Sequence, residues 1–368
     1  MISFDPTEEQ ELIRDSVREF AASEMREIAR ACDEAESLPD EFLEQSWELG
    51  LANAQIPEAY GGPGLERSPI TSVLVAEELG YGCPGLATAA LAPASLIYPL
   101  LDLGTEEQRQ AHLPRFAGSA YRAGALALHE QNWSFELANL GTLAEPKNGE
   151  FRITGTKRMV PMGERAELFL VVARCGAREG VAGLQAFLVP ADTPGVSVER
   201  EHTMGLRAVP FARVEFDGAR VGAEAQLGGE AGCDVARLAN LARTASLALA
   251  LGQSRAVLDF AIDYAKERVA FGQPIGQKQA IAFMLAEMQI ELNSMRWLVW
   301  QAASQLERGN DANRETRLAQ TYTNREAMRL ADNGVQIFGG HGFIRDYPIE
   351  MWFRNARVLT VLEGATAL

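Results

Sequence analysis

The sequence predicts an α+β chain in three zones: an N-terminal helical domain (1–120), a middle β domain (121–225) and a C-terminal helical bundle (226–368). Three observations carry this reading. Capping signals followed by apolar residues at helical spacing fill the first zone. Short β-rich runs separated by turn dipeptides fill the second. Long alanine-rich periodic stretches with short connections fill the third.

Thr7 and Gln10 form a capping box just after Pro6, and Ile13, Val17, Phe20 and Ala21 then share one helical face. Asp40 after Pro39 is expected to cap a second helix carrying Leu43 and Trp47. The stretch AYGGPG (59–64) reads as a loop, and ITSVLVAEELG (70–80) as a helix that Gly80 can end. Thr105 and Gln108 form another capping box. In the middle zone Asn148-Gly149 signals a hairpin, followed by FRITGTK with alternating faces. ELFLVVAR and LQAFLVP are strands, and RVEFDGARV carries a second turn signal, Asp217-Gly218. Strands at this spacing predict a small antiparallel barrel or sandwich. The last zone is periodic over about thirty residues up to AFG, then again over QAIAFMLAEMQIELNSMRWLVWQAASQLERG, with a third helix through Ala319 to Phe338.

Composition excludes several classes. The net charge of −16 argues against nonspecific nucleic-acid binding. Residues 1–50 hold fifteen acids and four bases, net −11, which predicts a solvated helical face. No apolar run reaches the length of a membrane span, and MISFDPTEEQ has neither the basic start nor the apolar core of a signal peptide. The cysteines (Cys32, Cys83, Cys175, Cys233) and histidines (His112, His129, His202, His341) are scattered. Their spacing fits no metal site and no disulfide framework, so a cytoplasmic setting is expected.

The chain ends in TVLEGATAL, where Glu363 follows an apolar stretch with no cation beside it. A buried, unpaired carboxylate is costly and its pKa rises, a cost tolerated where a base must work near neutral pH. The local alternative is a helix-terminal glutamate that reaches water.

From ERVAFGQPIGQKQAIAFMLAEM (267–288) onward the chain resembles the acyl-CoA dehydrogenases. Further matches fall in the family's order: YGGPG (60–64), GTEEQ (104–108), GTK (155–157), FLVP (187–190), VQIFGGHGF (335–343), RNAR (354–357) and EGAT (363–366). The resemblance implies the fold of that family, with a small antiparallel β-barrel in the middle and a four-helix bundle at the end. It implies an FAD enzyme that turns an acyl-CoA thioester into the trans-2-enoyl thioester, within fatty acid metabolism and β-oxidation. Glu363 then takes the α-proton while the β-hydrogen leaves as hydride to flavin N5. Another branch keeps its base beside the position of Arg243, where this chain has Ala242.

The resemblance further implies that Arg268, Phe271 and Gln279 reach the diphosphate and adenine of a neighbouring subunit's FAD, with Gln336, Phe338, Gly339 and Gly340 approaching the same cofactor. It places Asn240, Arg243 and Gly364 against the thioester and its CoA arm. Around this subunit's own flavin ring the chain departs from the family. His129 stands for a threonine and Phe135 for a serine, while Met159 and Pro161 stand for an aromatic and a threonine. Proline supplies neither hydroxyl nor N–H. Ala365 also stands for a threonine. The implied partners are an electron-transfer flavoprotein and further subunits, as a homodimer, a homotetramer or a heterotetramer with a homologous chain. A family-fold protein that binds an acyl thioester without redox chemistry is the reading from another class. The acyl pocket is expected around Leu79 to Pro93.

Overall fold

The computed structural model describes residues 5–131, 136–176, 178–362 and 367–368. Both capping boxes form. Thr7 Oγ1 accepts from Gln10 N–H at 3.2 Å and opens α1 (Glu8–Phe20). Thr105 Oγ1 does the same for Gln108 and opens α7 (Glu106–Phe116). Between them, a π-helical turn at Ala21–Met25 leads into α2 (Arg26–Ala35), followed by α3 (Asp40–Glu48), α4 (Pro69–Gly82), α5 (Pro84–Leu91) and α6 (Ala94–Leu103).

Two helix ends differ from expectation. Pro39, not Asp40, holds the N-cap of α3; Asp40 is already helical, and its carboxylate pairs with Arg165 at 2.8 Å. Gly80 does not end α4, which continues to Gly82. Its missing side chain instead permits close packing, since a Cβ there would lie 2.3 Å from the Leu249 carbonyl oxygen. Most acids of residues 1–50 are exposed or half-exposed; Asp33 is buried and held by Arg354 at 2.7 Å.

The middle zone is one seven-stranded sheet of β1 (Gly124–Ala127), β2 (Leu143–Lys147), β3 (Glu150–Val160), β4 (Leu168–Cys175), β5 (Leu184–Pro190), β6 (Val196–Arg200) and β7 (Ala212–Gly222). The path runs β1-β4-β2-β3-β7-β6, with β5 on β4. The sheet is mixed rather than wholly antiparallel, because β4 runs parallel to both β1 and β2. Asn148 (φ 54°) and Gly149 (φ 80°) make the expected hairpin turn. Asp217-Gly218 makes no turn. β7 runs straight through, and Gly218 (φ 65°) is a bulge opposite the Ile153/Thr154 step, where left-handed backbone admits one extra residue. β4 is apolar from Leu168 to Ala173, where both its faces are covered. Phe169 and Val171 enter the sheet's own core, while Leu168 and Leu170 pack on the helical layers.

The bundle comprises α8 (Val235–Glu267), α9 (Gln279–Glu307), α10 (Asn313–Phe338) and α11 (Ile349–Leu359), with a two-stranded hairpin of β8 (Val269–Ala270) and β9 (Gln273–Pro274) after α8. α8 is long and apolar enough to cross a membrane by composition, yet 78% of its most apolar window is buried within the fold. It is the central helix, and Gly252 brings it against α4: a Cβ there would lie 1.9 Å from the Glu77 carbonyl oxygen. The N-terminal half of α8 packs on the sheet through Val235, Leu238 and Ala242.

Candidate active site

One end of the bundle gathers the first group of candidates. β8 and β9 are joined by Phe271 (φ 54°) and Gly272 (φ 81°), a tight hairpin turn. Phe271 is 97% exposed, with the Lys278 ammonium 5.8 Å from its ring. An aromatic in left-handed backbone and open to solvent is not placed there by packing in this chain's core. Arg268, exposed, caps α8 and fixes the hairpin by accepting from Ile275 N–H at 2.8 Å. Gln279, also exposed, opens α9.

α10 ends beside this hairpin. Gln336, Gly339 and Gly340 are exposed, and a Cβ on either glycine would meet nothing within 4 Å. The Phe338 side chain is buried, its ring stacked 3.9 Å from Tyr264 and 5.6 Å from Phe260, which leaves only its backbone for the approach expected at this segment. Tyr264 also hydrogen-bonds His341 Nδ1 at 2.8 Å, tying the segment after α10 to α8 next to Arg268. A guanidinium, a bare aromatic face and open glycine backbone suit a ligand with a diphosphate and a purine. The residues here fit such a group.

The second group lies in the sheet. His129 and Met159 are half-buried, and Arg158 N–H donates to the His129 carbonyl at 2.9 Å, so the two segments adjoin. Lys157 pairs with Val214 and Val160 with Ala212, which leaves Arg158 and Met159 opposite one residue: a bulge, with Met159 at φ 51°. Pro161, directly after β3, is buried. Below the bulge Lys157 is fully buried and bonds Glu130 Oε1 at 2.7 Å. Burial pulls the Lys157 pKa down to about 8 against the pull of Glu130. Burial pushes the Glu130 pKa up, but Lys157, Thr142 and Gly141 outweigh it and hold the carboxyl below its ordinary value.

The third group sits on the N-terminal half of α8. Arg243, half-buried, lines a 220 Å³ cavity with Arg317, Asn313, Glu136 and Gln320. Asn240 does not line it; it is buried and its amide is held by Asn313 Oδ1 at 2.9 Å. A larger cavity of 630 Å³ lies between α1, the 49–68 loop and α4, and includes Leu91, Tyr98, Ala245 and Ala367. Of the stretch 79–93, only Leu91 lines it. Glu363, Gly364 and Ala365 lie outside the described residues, as does Phe135; Leu362 and Ala367, before and after the first three, are buried.

The structure thus places Arg268, Phe271 and Gln279 at the end of α8 to which Tyr264 ties the segment after α10, and separately adjoins His129 and Met159. From Arg243 to the hairpin α8 spans about 36 Å at 1.5 Å per residue. Arg317, Glu201 and Tyr264 were missed by sequence reasoning. Each belongs to its site only through the fold, and no local motif announces it.

Comparison with known proteins accounts for the whole chain. The descriptions "Acyl-CoA dehydrogenase, N-terminal domain", "middle domain" and "C-terminal domain" match residues 7–119, 125–219 and 231–368. A relative from Bacillus subtilis (strain 168), named acyl-CoA dehydrogenase, is 32% identical over 98% of this chain and 96% of its own. An acryloyl-CoA reductase (NADH) from Anaerotignum propionicum is 30% identical over 100% and 94%. Among solved structures, the butyryl-CoA dehydrogenase of Megasphaera elsdenii is 28% identical over 99% and 96%, with a TM-score of 0.89. A glutaryl-CoA dehydrogenase from Mycobacterium smegmatis in complex with FADH2 is 25% identical over 98% and 92%, with a TM-score of 0.85.

An all-helical cap, a central sheet and a helical bundle with an exposed Arg–Phe hairpin define a flavoprotein-type oxidoreductase architecture. The chain belongs to the acyl-CoA dehydrogenase family, whose members are oxidoreductases acting on CH–CH bonds.

Proposed function

We propose that this chain oxidises an acyl-CoA to the trans-2-enoyl-CoA with FAD as its cofactor, in the β-oxidation of a fatty acyl group in the cytoplasm. The observation that carries the reading is the bare Phe271 beside Arg268 on a chain that belongs to this family throughout. Arg268 and the open backbone at Gly339 and Gly340 would hold the FAD diphosphate, Phe271 would offer its ring to the adenine, and Gln279 and Gln336 would supply polar contacts. Bound FAD supplies the acceptor for the β-hydride. Glu363 takes the α-proton, so the α- and β-C–H bonds break and the C=C bond forms. Arg243 faces the thioester, with Asn240 supporting that side through Asn313; Gly364 is assigned to the thioester by the family resemblance.

The family resemblance assigns the hairpin to the FAD of a neighbouring subunit. The Arg268 hairpin and the Arg243 cavity lie about 36 Å apart along α8, a separation that supports this reading. Self-association has a candidate face: Phe283, Ile290 and Trp297 recur every seven residues on α9 and are 59%, 62% and 51% exposed. A homotetramer built from dimers is the assembly proposed. An electron-transfer flavoprotein takes the electrons onward. The altered flavin-facing positions His129, Met159 and Pro161 favour a second reading, a heterotetramer whose flavin sites are shared with a homologous chain.

The test is the absorbance spectrum of the protein purified alone, with FAD counted per chain. About one FAD per chain, bleached by butyryl-CoA and not bleached in Glu363→Gln, is expected. A colourless chain that takes up no added FAD overturns the self-sufficient dehydrogenase. Colour gained only with a co-expressed homologue establishes the second reading.

A further inference from the structure

Met159 sits in a bulge that its own sheet does not hold. The Lys157–Val160 segment leaves register with β7, and Met159 takes φ 51°, a conformation that normally selects glycine. Its N–H finds its partner elsewhere: Glu201 Oε2 accepts it at 2.5 Å. The other oxygen of Glu201 pairs with Arg158, and Arg158 in turn reaches Gln131 beside His129. One half-buried carboxylate therefore fixes both residues of the bulge and, through Arg158, the segment opposite.

Glu201 is itself placed from outside the sheet. It begins the loop between β6 and β7, and its N–H donates to the Phe211 carbonyl at 2.8 Å. Beyond it the loop is clamped to the helical parts at several points. Glu36, at the end of α2, bonds His202 at 2.8 Å and pairs with Arg207. Leu206 N–H donates to Asn355 Oδ1 at 2.7 Å, and Arg354 donates to the Met204 carbonyl at 2.9 Å. Gly205 lies flat on α11, where a Cβ would come within 2.2 Å of the Arg354 carbonyl oxygen.

We propose that Glu201 is a positioning residue for the flavin site: it holds the Arg158–Met159 bulge in its left-handed form and so ties the hold on the flavin ring to the docking of the sheet on α2 and α11. This rests on the FAD reading above. Without the carboxylate, Met159 has no acceptor for its N–H and no reason to keep a strained backbone.

The experiment measures FAD affinity and the bound-flavin spectrum of the intact protein for Glu201→Ala, Glu201→Gln, Met159→Gly and the Glu201→Ala/Met159→Gly pair. Glu201→Ala is expected to weaken FAD binding by about tenfold or more, as for a lost hydrogen bond to a charged group, and to shift the flavin band. Glu201→Gln, which keeps an accepting oxygen, is expected to recover most of the affinity. On the Met159→Gly background, where glycine keeps the left-handed turn unaided, Glu201→Ala is expected to change affinity less than about threefold. Should Glu201→Ala not fold, Glu201→Asp withdraws the oxygen while keeping the charge, and the same loss and rescue are expected. Unchanged FAD affinity in Glu201→Ala or Glu201→Asp, or an equal loss on both backgrounds, overturns the proposal. A parent protein that binds no FAD, alone or with a co-expressed homologue, overturns the FAD reading instead.

Discussion

Lys157 Nζ lies 2.7 Å from Glu130 Oε1 and 3.3 Å from the Leu128 carbonyl oxygen, with the lysine side chain wholly out of solvent. Glu130 is satisfied on its other sides by Thr142 Oγ1 at 2.6 Å and Gly141 N–H at 2.6 Å. The pair joins the segment that follows β1 to β3, the strand that carries the bulge. Removing one partner strands a buried charge, whereas removing both does not. Lys157→Met is expected to cost about 3–5 kcal/mol. Lys157→Met with Glu130→Gln is expected to cost clearly less than the single change. Chemical denaturation of the three proteins checks this; a double variant worse than Lys157→Met would refute the pairing argument.

Gly252 sets how closely α8 approaches α4. The Cβ of an alanine there would sit 1.9 Å from the Glu77 carbonyl oxygen and 2.7 Å from the Tyr81 nitrogen. Both obstacles are backbone, so a helix must move. Gly252→Ala is expected to destabilise the protein by the upper part of about 1–3 kcal/mol, despite alanine's better helix propensity. Gly118→Ala, with nothing within 4 Å of the new methyl, is the control and is expected to change the thermal midpoint little.

Arg268 is exposed and supports no core contact, so its loss separates cofactor binding from folding. Arg268→Ala is expected to leave the thermal midpoint of the FAD-free protein unchanged. Losing hydrogen bonds to a charged diphosphate is expected to weaken FAD retention by about ten- to a hundredfold. Flavin fluorescence after gel filtration reads this directly. Full flavin content in the variant would remove Arg268 from the cofactor site.

The helices and most strands were legible because their signals are local. Thr7, Thr105 and Asn148-Gly149 act through neighbours within three residues, and the structure uses them as read. Asp217-Gly218 misled because a glycine that turns a chain and one that bulges a strand look alike; only the partner strand decides. Gly80 misled for a similar reason, since its value lies in what α8 brings against it. At the site, motif spacing picked out the hairpin of Arg268 and Phe271. It could not separate Phe338, which packs, from Gly339 and Gly340, which are open. Nor could it find Glu201, which lies forty-two residues from the backbone it holds.

Glu77 and Glu78 read as ordinary helix acids in VAEELG, yet they are 4% and 1% exposed. Arg296 meets Glu77 at 2.7 Å, and Arg18 meets Glu78 at 3.0 Å, with Arg255 bonded to both. Three helices thus supply cations to two adjacent acids on α4. Burial pushes the Glu78 pKa up, but Arg255 and Arg18 outweigh it, and the group titrates below the ordinary glutamate value of 4.5. A carboxyl with a lowered folded-state pKa binds protons more readily in the unfolded chain. Its stabilisation is therefore complete above 4.5 and is lost as pH falls through the lower folded value. The thermal midpoint is expected to hold near neutral pH and to drop steeply below about pH 4.5, with Glu78→Gln less stable at pH 7 and flatter in acid. Equal acid slopes for parent and variant would show that other carboxylates govern acid unfolding.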